Sequence, residues 1–382
     1  MTQTETLTVD AAEVVAAVLY GKKDMRIETK DLVPPAASEL QVLVTQTGIC
    51  GSDLHYYHHG RNGDFALQHP LSLGHESAGI VTAVGSDVDN FVVGDRVALE
   101  VGIPCSECTW CKKGRYNLCP DLRFRGSCKT VPHYDGTLAR KVNHLAKWCH
   151  RVPDAVRDLS LAALAEPLAV SLQGIKRSAL KVADEATVLV LGAGAVGLLT
   201  AFAAKKRGGA KKVVVADISS QRVAFAVDND FADQGIVLGG SNVIDSENPL
   251  APAIANADFL KEKACANVGF DVVFECTGVQ ICVQTSVFAA AAGGQVVIIG
   301  MGTPMQSLPI GSACTREVDI IGVFRYAENY PDALAIVAED GELVGKLVTH
   351  TMKLEDTVYA FEVASTPVDK SGNLVLKVMI TG

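Results

Sequence analysis

Thr187-Val188-Leu189-Val190-Leu191-Gly192-Ala193-Gly194-Ala195-Val196-Gly197 decides the fold of this chain. The apolar run Thr187 to Leu191 predicts a buried strand, and Ala195 to Lys206 predicts the helix that follows. Glycines at 192, 194 and 197 permit a tight turn, a close backbone approach to a pyrophosphate, and close packing of helix on strand. A second apolar strand, Lys212 to Ala216, ends at Asp217, twenty residues beyond Gly197. An acid at that distance accepts hydrogen bonds from the ribose hydroxyls of a dinucleotide and repels a 2'-phosphate, which favours NAD over NADP. Arg222, close behind it, is the one residue nearby that could pair with such a phosphate.

Outward from this turn the rhythm of strand and helix continues. Further strands are expected at Asp271 to Phe274, Gln295 to Ile299 and Asp319 to Val323. Apolar strands alternating with helices imply a doubly wound parallel sheet covered on both faces. Residues 229 to 269, rich in Gly, Asn and Pro, read as a lengthened surface connection. Upstream the pattern differs: Val14 to Tyr20, Gln41 to Thr47, Ala78 to Val84 and Asp95 to Glu100 read as short strands broken by Gly, Pro and Asp. Helices are expected on both sides of Pro167, and the tail from Ala327 returns to the β-rich character, ending in a strand from Asn373 to Ile380.

Composition narrows the functional class. A chain of 382 residues has room for about two domains. Acidic residues outnumber basic ones 43 to 34, for a net charge of −9, and a nucleic-acid partner needs the opposite balance. No apolar run approaches the ~18 residues of a membrane span, and Met1 to Asp10 lacks the basic start and apolar middle of a signal peptide. These features point to a cytoplasmic protein with no membrane partner.

Chemistry-bearing residues arrive from three distant segments: Cys50 within Gly48-Ile49-Cys50-Gly51-Ser52-Asp53-Leu54-His55-Tyr56, His75-Glu76 after Gly74, and Glu166 before Pro167. A thiolate, an imidazole and carboxylates gathered from separate parts of a chain suit a zinc ion whose site stays open to substrate. Cys105, Cys108, Cys111 and Cys119 follow the opposite plan, since four local thiolates close a tetrahedral shell. That second site is expected to be structural. Cys128, Cys149, Cys265, Cys276, Cys282 and Cys314 are scattered and read as reduced thiols.

The segments at 48–53 and 74–85, the four-cysteine loop, Glu166-Pro167, the glycine turn and Gly322-Val323-Phe324-Arg325-Tyr326 together resemble the zinc-dependent medium-chain dehydrogenase/reductase superfamily, and within it the polyol (sorbitol and xylitol) dehydrogenases. The resemblance spans nearly the whole chain. It implies an α/β protein in which a β-rich GroES-like catalytic domain, residues 1–166 and 327–382, carries an inserted Rossmann domain, 167–326. It also implies two zinc ions per chain, one catalytic and one structural, NAD as cofactor, and assembly into a homotetramer or dimer.

Roles carry over by the same resemblance. Cys50, His75 and Glu76 would hold the catalytic zinc, with Glu166 a further ligand or bonded to the metal's water. Ser52 and His55 would relay a proton outward while the substrate carbon gives hydride to the nicotinamide. Tyr56, Arg325 and Tyr326 would bind the other hydroxyls of a polyol. Val196, Ile299, Gly300, Met301, Val323, Phe324 and Arg325 would meet the cofactor together with Gly192, Gly194, Ala195 and Gly197. Simple alcohol dehydrogenases of the superfamily usually carry a second cysteine where Glu166 stands, so the Glu-Pro is a signal of substrate class; Phe324 points to the sorbitol and xylitol branches. The segment Arg123 to Gly136 is longer than its counterpart and is expected to border the substrate pocket. Two other readings compete: a zinc alcohol or threonine-type dehydrogenase, and, more remotely, a non-enzymatic zinc- and nucleotide-binding protein.

Overall fold

The computed structural model describes residues 12–178, 180, 185–239 and 248–382. The N-terminal stretch Met1 to Asp10 therefore lies outside the described residues, as does 240–247 within the expected connection. Two sheets organise the rest. Six parallel strands form the first, in the spatial order Gln234–Val237, Lys212–Asp217, Thr187–Leu191, Phe270–Glu275, Ala290–Ile298, Asp319–Gly322. The chain runs outward from Thr187–Leu191 in one direction, then returns to its other side. Where the order reverses, helices leave the sheet on opposite faces and a crevice opens at the carboxyl ends of the strands.

Glu39–Gly48 lies in the middle of the second sheet, paired with Glu76–Val84, Lys141–Leu145 and Lys377–Thr381. Arg96–Leu99 and Cys149–Arg151 extend it on one side, and Val348–Lys353 on the other. The last two strands of the chain thus join the first part, as the character of the tail suggested. The closing strand is shorter than expected, starting at Lys377 and not Asn373.

Several elements keep the bounds read from sequence, including Thr187–Leu191 and the helix Ala195–Lys206. Around Pro167 the break between helices falls three residues earlier, at Leu164, because Pro167 stands in the first turn of Ala165–Arg177, where its missing N–H forfeits no bond.

The segment 229–269 corrects the expectation of a surface connection. It holds the edge strand Gln234–Val237 and the helix Ala251–Ala264. Gly235 is a packing residue: a Cβ there would lie 2.5 Å from a Val223 methyl on the helix Ser220–Asp228. Pro252 falls at the start of its helix, a favoured position. Ala253, Ala257, Leu260 and Ala264 then present one buried face.

Between the sheets the core is continuous. Val42, Val81 and Leu99 of the second sheet belong to the same buried cluster as Val188 and Val213 of the first and Phe202 of the helix Ala195–Lys206 packed on it. Leu164, Leu168, Tyr330 and Ile336, on the helices Ala165–Arg177 and Tyr330–Gly345 or beside them, carry it across. This bridge fixes the crevice between the sheets, where the candidate site lies.

Candidate active site

Cys50 caps the helix Gly51–His59, and Asp53 organises the cap. The Asp53 carboxylate accepts from the backbone N–H of Cys50 at 3.0 Å and of Gly74 at 3.2 Å, which draws the turns carrying Cys50 and His75 together. Asp53 Oδ1 also lies 3.4 Å from His75 Nδ1, the arrangement by which a carboxylate orients a ligating imidazole. Burial disfavours the charged form of His75, but Asp53 and Cys50 outweigh it and raise its pKa well above the ordinary value.

Donor atoms of Cys50, His75 and Glu76 all lie within 4.8 Å of one another. Glu76 is fully buried, and both of its oxygens accept from Lys377 Nζ at 2.7 Å. Gly48 makes room for it, since a Cβ there would fall 2.1 Å from Glu76 Oε2. A thiol, an imidazole and a carboxylate converge here, a donor set that fits a divalent cation, while Lys377 offers no lone pair and pairs with Glu76. Glu166 is not part of the three-donor group, although it lines the same cavity and is buried. Burial, against the pull of His75, pushes its carboxyl up to about 7.

That cavity, about 440 Å³, is bounded on one side by Cys50, Ser52 and His75 and on the other by Val196, Thr277 and Ile299. His55 and Tyr56 reach it from the helix Gly51–His59, and Gly300, Met301, Val323, Phe324 and Arg325 close the far wall. Ser52 Oγ stands 3.3 Å from His75 Nε2. The Tyr56 hydroxyl accepts from the Cys128 amide at 3.0 Å. Phe124, Gly126 and Ser127 also line the cavity, so the long segment Arg123 to Gly136 does border the pocket. Tyr326, expected on the substrate's side, sits behind it: it is buried in the core with its ring 5.4 Å from that of Tyr330, and it is not among the lining residues.

The glycine turn faces the same crevice. Gly192 has φ +97°, a conformation that a side chain disfavours, and a Cβ on Gly197 would strike the Gly192 carbonyl at 1.8 Å. Gly194 caps the helix Ala195–Lys206 without a side-chain bond, and the nearest atom to a Cβ there is Arg222 Nη1 at 4.0 Å. The first N–H groups of that helix are thereby open to a phosphate. Asp217 accepts from the Ala193 amide at 2.7 Å and from the Ser219 amide at 2.8 Å, so it braces the turn.

In the four-cysteine loop all four sulfur atoms lie within 4.8 Å of one another, with Cys108 to Cys111 and Cys105 to Cys119 each at 3.5 Å. Sulfurs ~2.3 Å from a tetrahedral zinc would be separated by roughly 3.8 Å, so the loop also fits the ion. None of the eleven cysteines forms a disulfide.

Residues 36–154 match the alcohol dehydrogenase GroES-like domain, and 195–339 match the zinc-binding dehydrogenase domain. Bovine sorbitol dehydrogenase is 40% identical over 370 residues, 96% of each chain. The chain belongs to the zinc-binding dehydrogenases. Within that family it is also similar to the L-idonate 5-dehydrogenase of Vitis vinifera, 36% identical over 369 residues, covering 96% of this chain and 94% of the other. The crystal structure of Escherichia coli L-idonate 5-dehydrogenase superposes with a TM-score of 0.83 at 28% identity, covering 98% and 99% of the two chains. The protein is therefore a zinc-dependent oxidoreductase with a GroES-like part and a Rossmann sheet.

Two buried charges of this site escaped the sequence reading. Lys377 is a lone cation within Val375-Leu376-Lys377-Val378-Met379-Ile380, and a charge in an apolar strand requires a buried partner. Asp53 stood inside the quoted motif, but only the folded turn brings it to Gly74 and His75.

Proposed function

We propose that this zinc-binding dehydrogenase oxidises a polyol such as sorbitol or xylitol to the ketose, with NAD as hydride acceptor. The observation that carries the reading is the buried Glu166 carboxyl, which opens on one cavity with Cys50, His75, Val196 and Arg325. An acid there offers a polyhydroxylated substrate both a proton acceptor and a hydrogen-bond partner. The names of the sorbitol and L-idonate dehydrogenases to which the chain is similar support the same substrate class.

Cys50, His75 and Glu76 would hold the catalytic zinc, with Glu166 meeting it through water, in keeping with its place outside the three-donor group. Bound there, zinc makes an alcohol hydroxyl acidic near neutral pH. Glu166 then holds or accepts the hydroxyl proton. Ser52, beside His75, and His55 carry it outward; partial burial, then repulsion from His59 and His58, lowers the pKa of His55 and keeps its ring free to accept. Arg325 lines the cavity and would meet further hydroxyls there, and the Tyr56 hydroxyl lies beside Ser127. Val196 and the 299–301 and 323–325 stretches flank the nicotinamide, while Asp217 selects NAD.

We place the division at 1–166 with 327–382 against 167–326; the first boundary falls within the helix Ala165–Arg177. No helix among the described residues is long and apolar enough to cross a membrane, in keeping with action in the cytoplasm. Among the described residues Asp319–Gly322 leaves one edge of the parallel sheet unpaired, and exposed Met305 and Ile310 lie nearby in sequence, which suits a homo-oligomer, dimer or tetramer.

Turnover of sorbitol, xylitol, ethanol and threonine with NAD and NADP, before and after chelation, tests the reading. Polyols with NAD are expected to give the highest kcat/KM, and chelation to abolish it. A clear preference for ethanol or threonine, or full activity with metal demonstrably removed, overturns it.

A further inference from the structure

The four-cysteine loop reaches the stretch 324–328, which carries Phe324 and Arg325 of the cavity wall, through two adjacent side chains. Tyr116 and Asn117 lie in the short 3-10 turn Tyr116–Leu118, between the third and fourth cysteines, and both are buried. Asn117 Nδ2 donates to the backbone carbonyl of Phe324 at 2.8 Å. The Tyr116 hydroxyl accepts from the Glu328 amide at 2.6 Å and donates to the Glu100 carboxylate at 2.5 Å. Neighbouring residues of the loop therefore grip the stretch 324–328 at both ends. Gly114 lets this stretch come close: a Cβ there would lie 3.1 Å from Glu328 Oε1.

The gripped stretch is bent in a way that side chains disfavour. Arg325 has φ +52° and Glu328 has φ +63°, both in the left-handed region. Such residues keep their conformation only where the surroundings over-determine it. Left-handed backbone at Arg325 lays its guanidinium 3.4 Å from the centre of the Phe124 ring, with Nη2 3.4 Å from Ser127 Oγ. Released from Phe324, the peptide could relax and turn the guanidinium off that ring and out of the cavity.

We propose that Asn117 is a positioning residue for substrate recognition: by holding the Phe324 carbonyl it aims Arg325 into the cavity, so the four-cysteine loop sets polyol affinity in addition to stabilising the fold. The inference rests on the polyol reading above. Asn117 touches neither substrate nor cofactor and acts through Arg325 alone.

A double-mutant cycle on the zinc-loaded enzyme tests this. Asn117→Ala should raise the KM for the preferred polyol about tenfold, the effect of one hydrogen bond of ordinary strength. The KM for NAD, the zinc content and Tm should stay near wild type, and kcat should change much less than KM. Asn117→Ser, which keeps a donor, should fall between Ala and wild type, and it serves as the probe if Asn117→Ala loses zinc or stability. In an Arg325→Ala background, either Asn117 substitution should add nothing further to KM. Additive effects, or a KM for polyol unmoved by both Asn117 variants, overturn the inference while leaving the polyol reading intact. A wild-type enzyme that prefers ethanol or threonine overturns the polyol reading and this inference with it.

Discussion

Lys377 governs the charge balance of the pocket formed by Cys50, His75 and Glu76. It is 3% exposed, its ammonium spans both oxygens of Glu76, and it gives a further bond to the Ile49 carbonyl at 3.1 Å, immediately before Cys50. Burial lowers its pKa, but Glu76 outweighs this and raises it, so the ammonium persists in the interior. Lys377→Met fills the same volume without the charge and leaves Glu76 buried and unpaired, a change that typically costs ~3 to 5 kcal/mol. We expect a lower urea midpoint and less than one zinc retained at the open site after dialysis, with the four-cysteine zinc kept. A variant with wild-type midpoint and two zinc ions per chain by elemental analysis would remove Lys377 from this role. The same residue marks how far sequence reading reaches. Its burial could be suspected from apolar neighbours, whereas its partner, about three hundred positions away, is fixed by strand pairing that no local pattern records.

At the level of elements, the short strand Arg123–Phe124 and the turn after it form one wall of the cavity, and Arg125 anchors them. Arg125 Nε donates to His144 Nδ1 at 3.0 Å, so His144 must be neutral, with its proton on Nε2 and bonded to the Glu100 carbonyl at 3.0 Å. Burial, then the adjacent guanidinium, lowers the His144 pKa to about 3. In the unfolded chain the same ring titrates near 6.5. Because the folded pKa is the lower one, the stabilisation is complete above 6.5 and is lost as pH falls from there toward 3. The slope approaches one proton, or about 1.4 kcal/mol per pH unit. His144→Gln keeps an acceptor for Arg125 and cannot titrate. Its urea-unfolding free energy should therefore decline less steeply than wild type between pH 6 and 4.5, and parallel profiles would refute the account. Sequence legibility varied among elements for comparable physical reasons. Strands such as Thr187–Leu191, apolar on both faces, kept their predicted bounds because burial alone specifies them. The helix Ala251–Ala264 was missed because Pro and Gly nearby imitate a loop, although Pro252 starts the helix and Gly235 admits a neighbouring one.

Across the whole molecule, the continuous core bears on how the two sheets unfold. Two-part chains of this size commonly lose their parts separately, yet here Leu164, Leu168, Tyr330 and Ile336 lie in one cluster with the interior faces of both sheets. Unfolding one sheet would strip apolar surface from the other at roughly 25 cal/mol per Å² exposed. The sequence announced the two parts by a change of rhythm upstream of the glycine turn, but not this sharing, since any buried helix face reads alike whichever sheet it meets. The chain contains its own reporters for the question. Both tryptophans, Trp110 in the four-cysteine loop and Trp148 against the Tyr116 ring at 5.0 Å, belong to the first part, while the parallel sheet and its helices dominate the far-ultraviolet signal. For the zinc-loaded protein, tryptophan fluorescence and far-ultraviolet circular dichroism should give the same urea midpoint. A fluorescence transition well below the dichroism one would mean that the GroES-like part unfolds first, and that the shared core does not bind the two sheets into one cooperative unit.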